Sequence, residues 1–170
     1  MHRYKTFNAA MPTTGAMAAV TTGSAGTPKT MLQIATPSTR ECQLLAWGYT
    51  LSALPGSGTG IIELIQTDVA ATVTAHVAAG VQQLDPNAPN SLMTLGTSAT
   101  GYTASAEGTP TATRSLDTDQ ISSSATGQQP LYDYQFMPDE RPIVAVSKFL
   151  RVRATFTSAV NMLCWVVWDE

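Results

Sequence analysis

Val160-Asn161-Met162-Leu163-Cys164-Trp165-Val166-Val167-Trp168 is the stretch on which the reading of the chain turns. It is β-branched and aromatic, and far shorter than the ~20 apolar residues a membrane-crossing helix needs, so it reads as a strand. Alternate residues of a strand face opposite sides. One side carries Met162, Cys164, Val166 and Trp168, and the other carries Leu163, Trp165 and Val167. Both sides are apolar. An antiparallel strand with one wet face should alternate instead. Residues 149–156 do so, with Leu150, Val152, Ala154 and Phe156 opposed by Arg151, Arg153 and Thr155.

Other runs resemble the two-faced strand. In residues 42–51, Leu45, Trp47, Tyr49 and Leu51 share one face while Cys42, Leu44 and Ala46 share the other. Ile61, Ile62, Leu64 and Ile65 also fall on both sides. Burying one large apolar side chain is worth about 1.5–3 kcal/mol, so leaving several in water is costly and adhesive. These strands therefore need a second cover. The first 28 residues, the stretch 80–111, or a neighbouring subunit can supply it. Residues 1–28 are mostly small and make a poor cover, which favours a subunit. The candidate interface residues are Trp47, Leu163, Trp165 and Val167, with Arg151 and Arg153 as partners for acids such as Asp139, Glu140, Asp169 or Glu170.

Further short runs lie at 31–35, 112–116, 131–136 and 143–146, each bounded by Gly, Pro, Asn or Asp. With the runs already named they make about eight strands and no long helix, which predicts an all-β, jelly-roll-like β-sandwich. Residues 1–28 predict an extended N-terminal arm, and 29–170 the sandwich domain. Residues 68–79 are Ala-rich behind Asp68 and predict a short helix, with a strand as the alternative. Residues 80–111 predict a long irregular loop. Gly56-Ser57-Gly58-Thr59-Gly60 predicts a hairpin turn rather than a phosphate cradle.

Composition narrows the function classes. The 170 residues are 44% hydrophobic and 12% charged, about half the usual ~25% charge of soluble proteins. Net charge is −3 with no basic block, which argues against nucleic acid as a partner. The positive start His2-Arg3-Tyr4-Lys5 is followed by Asn8, Pro12 and Gly15, which interrupt any signal-peptide core. No membrane span is predicted. Cys42 and Cys164 lie inside apolar runs and read as buried thiols, with an inter-strand disulfide as the alternative.

The chemistry-bearing residues are sparse. His2 and His76 are the histidines, too few for a cupin-type metal site. His76 reads as a packed or surface residue, and no nucleophile-elbow motif accompanies it. Glu63, Asp68, Asp85 and Glu107 show no spacing that marks a glycosidase pair. No catalytic residue, metal or cofactor is expected. Tyr102, Tyr132 and Tyr134 are the candidates if the chain is instead a carbohydrate- or receptor-binding module.

One order of features has a family likeness. A small-residue segment precedes Met31-Leu32-Gln33-Ile34-Ala35-Thr36-Pro37. Ala46-Trp47-Gly48-Tyr49, Ile62-Glu63-Leu64 and Leu95-Gly96-Thr97-Ser98-Ala99-Thr100-Gly101-Tyr102 follow. Leu150-Arg151-Val152-Arg153-Ala154 and Trp165-Val166-Val167-Trp168-Asp169-Glu170 close it. Over 29–170 the chain resembles the head decoration, or cement, proteins of tailed bacteriophages. The resemblance implies a jelly-roll homotrimer on the capsid outer surface, clamping the major capsid protein at local threefold positions, with the N-terminal arm in contact with the shell.

Overall fold

The computed structural model describes residues 2–56, 58–123 and 130–170. Among them thirteen strands form two antiparallel sheets. The first sheet runs β10(Leu131–Gln135), β4(Cys42–Leu51), β13(Asn161–Asp169), β1(Arg3–Phe7), β7(Val81–Gln83). Two short strands join it: β11(Ile143–Val144) pairs with β4, and β2(Val20–Thr21) with β13. The second sheet runs β6(Thr72–Ala75), β8(Gly101–Ala106), β3(Pro28–Ala35), β12(Phe149–Thr155), β5(Thr59–Thr67), β9(Thr113–Ser122). The core cluster draws Leu44, Trp47, Cys164 and Trp168 from the first sheet and Met31, Ile34, Leu64 and Val152 from the second. The β-sandwich predicted from sequence is therefore the fold.

All eight strands read from sequence are present, seven within a few residues of their expected bounds, while the run read at 112–116 continues as β9 to Ser122. Of the other five, β6 falls on the strand alternative kept for 68–79, and β1, β2, β7 and β8 were missed. The most consequential is β1, which lies between β13 and β7 with Tyr4 and Thr6 fully buried. The expected N-terminal arm is thus corrected: its first residues are a central strand, and its longest largely exposed stretch is 10–19. The helix predicted over 68–79 is replaced by β6 and a three-residue 3-10 turn, Ala78–Gly80. Thr72, Val73 and Thr74 are β-branched and pair with β8, so cross-strand packing overrides the alanines. β4 and β5 lie in different sheets, so the glycine-rich stretch, of which Ser57 lies outside the described residues, leads through a crossover into β5 and not through a hairpin. The expected loop 80–111 contains β7 and β8.

A β-bulge explains the two apolar faces of β4. Val167 pairs with Ala46 but Trp168 pairs with Leu44, leaving Leu45 as the extra residue. An extra residue reverses the alternation beyond it. Cys42 and Leu44 on one side of the bulge, and Trp47, Tyr49 and Leu51 on the other, therefore all enter the same core.

The chain roofs part of the outer face of its second sheet. The Gln33 side chain on β3 donates to the Ala71 and Ala99 carbonyls and accepts from the Ala71 N–H. Arg151 on β12 donates from Nη1 to the Glu107 carbonyl at 3.0 Å, and from Nη2 to the Val69 carbonyl. Its guanidinium also pairs with the Glu107 carboxylate at 3.4 Å and is fully buried. Ile65, the register neighbour of Arg151, is buried on this side too. The outer face of the first sheet has a different character, and the candidate site lies there.

Candidate functional site

Strand β13 separates its two apolar faces. Met162, Cys164, Val166 and Trp168 are in the core, whereas Leu163, Trp165 and Val167 are half-buried on the outside. In register beside them on β4 lie Thr50, Gly48 and Ala46. A Cβ at Gly48 would come within 2.5 Å of Trp165 Cζ2 and 2.6 Å of the Tyr132 carbonyl oxygen. Glycine there lets the Trp165 indole lie against the sheet. On the other side, Phe7 and Lys5 of β1 pair with Trp165 and Val167. Lys5 Nζ stands 4.8 Å from the centre of the Phe7 ring and 5.3 Å from that of Trp165, a cation held on two aromatic faces. At the far flank Leu131 of β10, in register with Thr50, is 69% exposed. Phe7, Trp165, Leu163, Val167 and Leu131 together make an apolar band across the sheet.

The predicted interface residues divide among three places. Leu163, Trp165 and Val167 come together in this band. Trp47 does not join them: it is in the core, where its Nε1–H donates to Asp117 Oδ2 at 2.9 Å. Arg151 is walled in on the second sheet, and Arg153 pairs there with Glu63 at 3.0 Å. Trp47 and Arg151 offer no surface to a partner, because the Leu45 bulge turns the first inward and the 69–71 and 107 backbone covers the second. Two of the acids expected for the arginines are occupied elsewhere. Asp169 is buried beside Arg3 and Arg141, its carboxyl pushed above the usual range by desolvation, and Glu170 accepts from the Leu92 N–H. Phe7, Lys5, Gly48 and Leu131 were missed by sequence. The alternation Arg3-Lys5-Phe7 against Tyr4-Thr6 is a signal that could have found the first two.

The tyrosines also divide. Tyr132 stacks on Tyr49 (5.5 Å between ring centres, 13° between planes) and on Tyr134 (6.4 Å, 16°). The Tyr132 hydroxyl donates to Asp117 at 2.7 Å, and that of Tyr49 to Asp119. These carboxylates on β9 tie the edge of one sheet to that of the other. Burial, then the bond to the carboxylate, pushes both phenols well above their ordinary range. Tyr102 lies apart, 4.8 Å from the His76 ring.

His76 is a stitch in the fold. Its Nε2 lies 2.8 Å from the Phe7 carbonyl, which can only accept, so Nε2 carries the hydrogen. Thr6 Oγ1 is 3.2 Å from the same nitrogen and donates onward to the Gly80 carbonyl at 2.8 Å. Burial lowers the affinity of His76 for a second proton. Its cavity of about 120 Å³ is lined by Ala10, Met11, Ala75, Val77, Ala79, Gly80 and Tyr102, which offer no serine, cysteine or carboxylate beside the ring. Among the described residues no cluster of three or more His, Cys, Asp or Glu could hold a metal ion. Likewise no helix among them is long and apolar enough to cross a membrane. Cys42 and Cys164 are free and buried, and burial pushes the Cys42 thiol up to about 12. Compared with known proteins, the chain matches no family model, no curated protein and no solved structure.

Proposed function

We propose that the chain is a non-catalytic structural subunit: a jelly-roll decoration protein that assembles as a homotrimer on the outer surface of a bacteriophage head and grips the major capsid protein. The observation that carries the reading is the apolar band of Leu163, Trp165, Val167 and Phe7 on the first sheet, which the chain leaves half-open while roofing part of its second sheet. Contiguous apolar patches of this kind mark protein–protein contacts. The largely exposed, small-residue segment 10–19 replaces the longer arm as the part that lies on the shell.

The test is co-sedimentation with empty heads built from the major capsid protein of the same genome. The reading expects the chain to pellet with the heads at a fixed ratio and to raise their resistance to heat or chelation. A chain that stays in the supernatant contradicts it.

A second reading is a carbohydrate-binding module, favoured by the stacked and partly exposed Tyr132–Tyr134 pair. Glycan-array binding that disappears in Tyr134→Ala would support this reading over the first.

A further inference from the structure

The outer face of the first sheet carries its charge unevenly. On β1 stand Arg3 and Lys5. Arg3 is the register neighbour of Asp169, whose carboxyl feels the charges of Arg141 and Arg3. Lys5 has Val167 and Gln82 as register neighbours. Beyond β13, the outward residues Ala46, Gly48 and Thr50 of β4 are uncharged. The next charge is Asp133 on β10, an exposed carboxylate whose register neighbour is Gly48.

Lys5 and Asp133 stand on opposite flanks of this face. β10 and β1 are three strand spacings apart, about 14 Å, and the two positions are offset by two residues along the strands, about 7 Å. The two Cα positions are therefore roughly 16 Å apart, with the apolar band between them. Among the described residues neither belongs to an ion pair. Lys5 is already positioned, its ammonium resting on the Phe7 and Trp165 rings with hydrogen-bond donors to spare.

We propose that this face docks a second copy of the chain, with Lys5 of one subunit against Asp133 of the next and the Trp165 band sealed between them. This deepens the subunit reading above and rests on it. A ring of three needs each subunit to meet its neighbour through two different flanks. The first sheet has such flanks, a basic one at β1 and an acidic one at β10, separated by the apolar band.

The experiment is a charge-reversal cycle, Lys5→Glu, Asp133→Lys and the double variant, followed by light scattering over a dilution series. Both residues lie at the surface, and circular dichroism reports whether each variant keeps the sheet. Each single reversal places like charges together and should weaken assembly on the order of tenfold or more, and the double variant should restore it to within about threefold of wild type. Wild-type assembly should also weaken as salt is raised. Mixing the two single variants separates the symmetries: a twofold pair becomes fully matched, whereas a ring of three keeps one repulsive contact. A trimer indifferent to every reversal overturns the docking and leaves the subunit reading standing. A charge-dependent dimer supports the docking and overturns the trimer. A wild-type monomer of 18.0 kDa at all concentrations overturns both.

Discussion

Arg151 and Arg153 lie two residues apart on one side of β12, yet the structure predicts that losing them has very different costs. Arg151→Met keeps most of the side-chain volume and removes every donor. The carbonyls of Val69 and Glu107 then lose their bonds, and the Glu107 carboxylate loses its cation. Breaking a fully buried pair costs about 3–5 kcal/mol, and each stranded buried acceptor about 1–3 kcal/mol. Glu107 is 28% exposed and keeps its bonds from the Thr30 N–H and hydroxyl, which places the cost near the lower end, about 3 kcal/mol. Arg153 and Glu63 are each about a quarter exposed, and such a pair is worth about 0–1 kcal/mol. For a urea m-value of about 2 kcal/mol/M, Arg151→Met should lower the unfolding midpoint by about 1.5 M and Arg153→Met by less than about 0.5 M. Equilibrium urea unfolding followed by tryptophan fluorescence measures both. Equal shifts, or a shift under about 0.5 M for Arg151→Met, would refute the claim that 69–71 and 107 roof part of the second sheet.

Acid should act through His76. Its folded-state pKa is lowered, so the unfolded chain takes the proton first. Its contribution is complete above the ordinary value of 6.5 and is lost as pH falls through the lower folded pKa; His76→Gln should flatten the slope of urea midpoint against pH in that range. Alkali should act through Tyr49 and Tyr132, whose raised pKa values keep them protonated in the folded state. Their contribution is full below pH 10.0 and declines above it as the unfolded phenols ionise, and ultraviolet titration should show Tyr49 and Tyr132 ionising only as the sandwich unfolds. A thiol reagent at pH 8 should label neither cysteine in the folded protein and both in urea; a protein unlabelled in urea would instead contain a disulfide.

Much of the sandwich was legible because short β-branched and aromatic runs bounded by Gly, Pro, Asn or Asp mark strands. β1 escaped because its five residues are set beside a long run of Ala, Thr, Gly and Pro, and the short alternation of Tyr4 and Thr6 with Arg3, Lys5 and Phe7 is its one mark in the sequence. The Leu45 bulge is a property of pairing with β13 and leaves no mark on β4 alone, so Trp47 was assigned to the wrong face. Arg151 was read as a strand-surface residue because its partners lie 44 and 82 positions away. Trp165 and its neighbours Leu163 and Val167 were legible for the opposite reason: their alternation within one unbroken strand already placed them on a single outer face.

That face is also where the central claim is tested most directly. Sedimentation equilibrium of the wild type and Trp165→Glu gives the mass of each, while circular dichroism confirms that the variant keeps its sheets. Docking through the Trp165 band predicts about 54 kDa, three times the 18.0 kDa chain, for the wild type and a folded single chain for the variant. A folded Trp165→Glu that assembles as the wild type does would contradict it.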